Sequence, residues 1–431
     1  MSSQASSHRP RATARALTEV RVAIERTRAS EALRASAGVL LWSRVLILAV
    51  AALSALWAGG GGAFVANAGA FDVPALTHPF GGLGDALLSP LARWDAVWYL
   101  QIADSGYGEA GSARTAFFPL YPLLVRGVGA LLGGSSGALL LSSYAVSLAA
   151  LLGALVLLHR LVSLELGRPL AATTLLLVCA FPASLFLGAP YSESLFLLCC
   201  VGAFYAARTE HWAWAALALA AASGTRSAGV LLILPVAVIY LQGHRRARDA
   251  AWLALGPLGL VAYSLYLGSV HGDPLAFAAV QELWNREYAG PFVGVWDGLL
   301  AAVDGARQIA SGAREPVFFE QAGGDPFRVA ATNLMLLATL VFAVLGTLGV
   351  LRRLPFAYGA WMVAALALPL SYPVAPQPLM SLPRFVLVLF PLFMWLALVC
   401  EERRITDRVV AVSAVGLGLF VTQFAAWNFV A

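Results

Sequence analysis

The chain has 431 residues, 60% of them hydrophobic and only 12% charged, whereas a soluble domain carries about twice that charged fraction. All 28 basic residues are arginine, and the formal net charge is +5. In a soluble chain that excess would point to nucleic acid. Here the arginines gather between apolar runs, which is the orientation signal of a membrane protein, and no nucleic-acid partner is expected.

Residues 1–36 are polar and carry Arg9, Arg11, Arg15, Arg21, Arg26, Arg28 and Arg34. They show no compact signal peptide with a small-residue cleavage site and read as a cytoplasmic tail, partly helical along the membrane surface. Residues 37–431 read as a single transmembrane domain. Apolar runs long enough to cross a bilayer as helix fall at about 38–58, 137–158, 169–188, 192–207, 212–224, 226–243, 249–270, 331–350, 356–372, 384–400 and 408–427. The predicted fold is therefore all-α and polytopic, with about eleven spans, because lipid leaves no partner for unpaired backbone groups. A barrel would need alternating segments of about ten residues, and these runs are continuous.

Charge tests the count. With the N-terminus inside, the connections holding Arg160 and Arg168, then Arg208, then Arg245, Arg246 and Arg248, then Arg352 and Arg353, then Arg403, Arg404 and Arg408 all fall on that side, as positive-inside orientation requires. A crossing at 119–134 would put every later cluster outside, so that stretch is expected to be re-entrant or interfacial. The outer side then holds the loops 59–136, 271–330 and 372–383, and the C-terminus. Polar loops on one face point to extracytoplasmic chemistry, although connecting loops alone would look similar. Cys179, Cys199, Cys200 and Cys400 lie inside apolar runs and read as small packing residues.

The first outer loop holds RWDAVWYLQIADSGYG at 93–108 and TAFFPLYP at 115–122. Trp94, Trp98, Tyr99, Tyr107 and Phe117 suit the headgroup layer. Asp95, Trp98 and Tyr99 are spaced i, i+3 and i+4, one face of a helix. A helix-start Asp that complements the dipole accounts for the acid but not for the aromatic residues around it.

This segment resembles the first-loop signature of the PIG-V type mannosyltransferases, the family of the second mannosyltransferase of GPI-anchor assembly. FPASLFLGAPYSESLFLL at 181–198, SGTRSAG at 223–229, HGDPLAFAAVQELWNRE at 271–287 and LPRFVLVLFPLF at 382–393 resemble the same family in the same order. The resemblance covers about residues 90–395 and implies a GT-C fold glycosyltransferase with interfacial helices in its first outer loop. Such an enzyme takes mannose from a polyprenyl-phosphate donor on the extracytoplasmic face, and an acid of the first outer loop, here Asp95, is the expected catalytic base. The all-arginine, alanine-rich composition is that of a high-GC bacterial genome, which places the enzyme in the plasma membrane. The GPI acceptor therefore does not carry over, and the acceptor stays open among lipid, glycan and protein.

An inverting transfer needs a base for the acceptor's proton, and a carboxylate serves at neutral pH. The leaving group is an ionisable phosphodiester, so neither a metal nor another cofactor is expected. Arginine is the natural clamp for that phosphate, and Arg226 and Arg384 fall at outer span ends; their bland role is to snorkel to headgroups. Asp104, Glu109 and Glu193 are secondary acids, while Trp94 and Tyr99 flank the base. Gln281, Trp284 and Arg286 are candidates for lining an acceptor or sugar pocket. Two alternatives stay open: a secondary transporter, which would place its polar groups at the membrane midplane, and a transferase of another lipid-linked sugar, arabinose or glucose. A carboxylate in the first loop rather than on a central path favours transfer.

Overall fold

A computed structural model describes residues 9–58, 62–243, 246–319 and 325–430; Arg245 and the first eight residues of the tail lie outside these. Among the described residues the fold is entirely helical, without strands. Five helical stretches are long and apolar enough to cross a bilayer: Ala29–Trp57, Ser136–Glu165, Ala247–His271, Pro326–Arg353 and Thr406–Ala425. With the shorter apolar helices between them, they make this a multi-pass membrane protein.

The first of these belongs to α1 (Arg9–Ala58), one uninterrupted helix. This helix runs without interruption through the boundary near residue 36 between the charged tail and the first apolar run, because nothing at 29–40 punctuates it. The first outer loop is itself helical, in α2 (Gly62–Phe71), α3 (Pro74–Thr77), α4 (Gly82–Leu88), α5 (Asp95–Ser105) and α6 (Leu120–Leu131). At 12 residues α6 is about 18 Å long, too short for a hydrocarbon core of about 30 Å.

A long helix α7 (Ser136–Glu165) follows, its start fixed by Ser135, whose side chain accepts from the Ala138 amide. Next come α8 (Arg168–Ala180), α9 (Glu193–Arg208), α10 (Trp212–Thr225), α11 (Ile233–Gln242), α12 (Ala247–Leu253) and α13 (Leu258–His271). The predicted spans 169–188 and 384–400 are interrupted rather than continuous, and a further break falls between the predicted spans 212–224 and 226–243. α8 stops where Pro182 opens a 3-10 turn, Pro182–Leu187. The backbone extends at Arg226 between α10 and a second 3-10 turn, Ser227–Leu232. A third break, at Leu389, parts α18 (Leu382–Leu387) from α19 (Phe390–Arg403). Irregular backbone at membrane depth persists only where protein buries it or a polar cavity lines it.

The second outer loop holds α14 (Ala276–Ala279) and the 21-residue α15 (Pro291–Ser311), where the sequence reading expected a loop. Asp297, Asp304 and Arg307 interrupt its apolar run, which hides it from a search for spans. It docks through a glycine face so closely that a Cβ at Gly294 would fall 1.9 Å from the Leu370 carbonyl oxygen. The chain ends in α16 (Pro326–Arg353), α17 (Phe356–Leu370), α18, α19 and α20 (Thr406–Ala425).

Ion pairs mark one end of the bundle: Arg168–Glu31 at 3.3 Å, Arg208–Glu165 at 2.5 Å and Arg353–Glu402 at 2.7 Å. These arginines come from the connections that the charge pattern gathers on a single side. The three helix breaks and the first outer loop meet at the other end.

Candidate functional site

Four charged side chains from four separate segments converge at those breaks. Asp95 is the first residue of α5, which starts abruptly because Trp94 before it takes φ 57°, ψ −119°. A side chain at positive φ costs about 1–3 kcal/mol and persists only where its surroundings hold it. Glu193 is the first residue of α9. Arg226 stands at the extended break after α10, and the turn folds back so tightly that a Cβ at Gly229 would lie 2.1 Å from the Ala222 carbonyl oxygen. Only glycine fits there, which explains the last letter of SGTRSAG. Arg384 lies in the short helix α18.

Arg384 ties the two carboxylates together. Its Nη1 donates to Asp95 Oδ2 at 2.8 Å, while Nε and Nη2 donate to Glu193 Oε1 at 2.9 and 2.7 Å. Arg226 Nη1 donates to the same Glu193 oxygen at 2.8 Å. Glu193 is fully buried and takes three guanidinium N–H groups on one oxygen, leaving Oε2 buried without a partner among the described residues. Asp95 differs: 27% of its side chain is exposed, and among the described residues no group donates to Oδ1. The Arg384 guanidinium also lies over the rings of Tyr191 and Phe186, at 4.9 and 5.0 Å, a favourable place for a buried cation.

A third arginine approaches from the second outer loop. Arg286 is half-buried and makes no side-chain ion pair or hydrogen bond among the described residues. Burial lowers its pKa, the positive charges of Arg384 and Arg226 lower it further, and Asp95 opposes them, which places it in the field of the same cluster. Three guanidinium groups against two carboxylates leave one net positive charge.

Aromatic rings wall the cluster. Tyr99 reaches it through its hydroxyl, 2.8 Å from Ser192 Oγ; burial pushes the phenol's pKa up, so it stays neutral. Trp98 stacks on Phe117 at 6.1 Å, and Trp284 meets both rings edge-on at 6.5 and 6.3 Å. The structure thus brings together Asp95, Tyr99, Glu193, Arg226, Arg384 and Arg286, with Trp284 beside them.

Other candidates are elsewhere. Trp94 turns its ring away, against Phe71, Trp427 and Phe429. Asp104 and Glu109 are exposed and their carboxylates join no contact of the cluster. Gln281 donates to the Phe277 carbonyl one helical turn back, at 3.3 Å. Tyr191 and Ser192 were not singled out from the sequence, although they precede Glu193 in the motif APYSES; Tyr191 donates to the Arg93 carbonyl at 2.8 Å and so links α9's start to the residues before Asp95.

The chain is similar in sequence to known mannosyltransferases. The family model described as mannosyltransferase (PIG-V) matches residues 67–247. Over these residues the chain resembles the PIG-V mannosyltransferases. It is 38% identical over 240 residues to rat GPI alpha-1,6-mannosyltransferase 2, covering 52% of this chain and 47% of the rat protein. The Chinese hamster and human proteins of that name are 37% and 36% identical over 177 and 179 residues, each match covering 39% of this chain and 35% of the relative. The chain thus spans about half the length of the rat relative and about a third of the others. Asp95, Glu193 and Arg226 lie within the PIG-V region 67–247, whereas Arg286 and Arg384 lie beyond it and reach the cluster only through the fold.

Proposed function

We propose that this protein transfers mannose from a polyprenyl-phosphate donor to an acceptor hydroxyl on the extracytoplasmic face of the plasma membrane. It would act as a GT-C fold enzyme of about eleven spans, by direct displacement with inversion. The observation that carries this reading is the asymmetry of Asp95: Arg384 holds Oδ2, while Oδ1 is open to take a proton. The acceptor oxygen bonds to the anomeric carbon as the bond from that carbon to the phosphate oxygen breaks. The acceptor's proton passes to Asp95, and the electron pair leaves with the polyprenyl phosphate, which gains a negative charge.

The surplus positive charge of the cluster matches the single charge of a phosphodiester and meets the second charge that develops on departure. Arg384 has its guanidinium committed to two carboxylates, so it fits a positioning role better than the phosphate contact expected from the sequence. Arg226, with one nitrogen bound to Glu193, and Arg286, unpaired among the described residues, fit the phosphate. Guanidinium groups would then supply the charge stabilisation, and we propose that no metal takes part. The acceptor is a lipid, glycan or protein hydroxyl. The relatives' name supports mannose, and the basic connections gathered at the opposite end of the bundle support the outer placement.

Incubating the purified protein with polyprenyl-phosphate-mannose and a membrane lipid extract tests the proposal. A mannosylated product of inverted anomeric configuration is expected. Transfer only from a polyprenyl-phosphate-linked arabinose or glucose would overturn the sugar assignment, and no transfer from any such donor would overturn the activity.

A further inference from the structure

The residue before Asp95 is held by the far end of the chain, which lies outside the region shared with the PIG-V family model. After α20 the backbone closes with the Trp427 amide donating to the Phe424 carbonyl at 3.1 Å and the Asn428 amide to the Gln423 carbonyl at 2.9 Å, with Trp427 at φ 59°. That is the helix-ending turn in which glycine is the usual occupant of the left-handed position. A tryptophan there works against the backbone's preference, so its ring has a use that glycine would not supply.

The ring is almost completely buried and stands edge-on to Trp94 at 5.5 Å. The Arg93 guanidinium lies over the same ring at 5.1 Å and donates to the Ala425 carbonyl. Asn67 donates to the Trp427 carbonyl at 2.8 Å, and the Phe429 ring meets Trp94 edge-on at 5.5 Å. Trp94 itself sits at positive φ immediately before the first turn of α5. Two tryptophans at positive φ therefore brace one another, and the braced peptide is the one that aims Asp95.

We propose that Trp427 is a positioning residue for the transfer step: by clamping Arg93 and Trp94 it fixes the start of α5 and hence the direction in which Asp95 Oδ1 faces. The inference rests on the transferase reading for its kinetic consequence but not for its structural one. Two variants separate ring from backbone. Trp427→Gly keeps the left-handed turn, which glycine adopts without strain, and removes the ring; Trp427→Phe restores an aromatic edge.

The test combines steady-state mannosyl transfer with amide hydrogen exchange of the full-length protein in nanodiscs. For Trp427→Gly, kcat should fall by about 10- to 100-fold with donor KM little changed, as a displaced base would give. Exchange should rise in peptides covering 88–100 while those of α7 and α9 keep their protection. Trp427→Phe should recover most of both. An unchanged kcat in Trp427→Gly, or exchange rising equally throughout the bundle, would overturn the proposal and leave Trp427 a packing residue. Should wild-type protein transfer no sugar, the activity reading fails, and the exchange pattern at 88–100 still decides whether Trp427 holds Asp95.

Discussion

Asp95 and Glu193 begin their helices in the same way, contact the same arginine and stand in the same cluster, yet their surroundings divide them. Glu193 has no exposed surface and is crowded by Arg384 and Arg226 on a single oxygen. Asp95 has one oxygen engaged and a quarter of its side chain open. A saturated buried carboxylate can orient cations but has nowhere to take a substrate's proton. A half-paired one at the edge of the cluster can. The contrast teaches that sharing one arginine does not make two carboxylates alike; the free oxygen sets Asp95 apart.

Variants can sharpen or break that contrast. The largest effect on turnover is expected from Asp95→Asn, which keeps the shape and loses the base: steady-state transfer should fall by about 10² to 10⁴ with the thermal midpoint little moved. Glu193→Gln should behave the other way. Removing one partner of a buried ion pair costs about 3–5 kcal/mol, so thermal unfolding in detergent should show a large loss of stability, with activity falling alongside it. If Glu193→Gln instead folds normally and is inactive, the division of roles is reversed.

Arg286→Ala comes next. A hydrogen bond to a charged group is worth about 1.5–3 kcal/mol, so donor KM should rise at least tenfold while stability holds. Arg384→Ala should resemble Glu193→Gln rather than Arg286→Ala, because its nitrogens are spent on carboxylates. The smallest effects belong to Asp104→Asn and Glu109→Gln, exposed and away from the cluster, where rates should stay within about twofold. A large loss at Glu109 would mean that the loop closes over the site and that Asp95 is not its only acid.

Much of this site could be read from the chain, but unevenly. Arg226 and Arg384 stand out because ionisable groups at the ends of apolar runs are costly and rare, Asp95 because it shares a helix face with aromatic residues in the first outer loop, and Glu193 as the acid of the motif APYSES. Their pairing could not be read, since nothing local says that Arg384 crosses 191 residues of sequence to reach Glu193. The same long range hid the proposed division between positioning and phosphate-binding arginines. Trp94 and Trp98 looked alike as interfacial rings, and only the positive φ at Trp94 sends one away from the cluster and leaves the other in its wall. The helix break beside Arg226 is legible as the gap between two apolar runs, those at Pro182 and Leu389 are not, and α15 escapes the sequence because its three charges interrupt the apolar pattern of a helix packed through glycines.

The central claim is that Asp95 takes the proton while Glu193 holds the cations, and single-turnover transfer by Asp95→Asn tests it most directly. Polyprenyl-phosphate-mannose would be bound to wild-type and variant protein to equal measured occupancy, acceptor added, and the first-order rate of product formation followed. The account predicts equal donor occupancy and a rate lower by about 10² or more in the variant. Equal occupancy with a near-wild-type rate would contradict it.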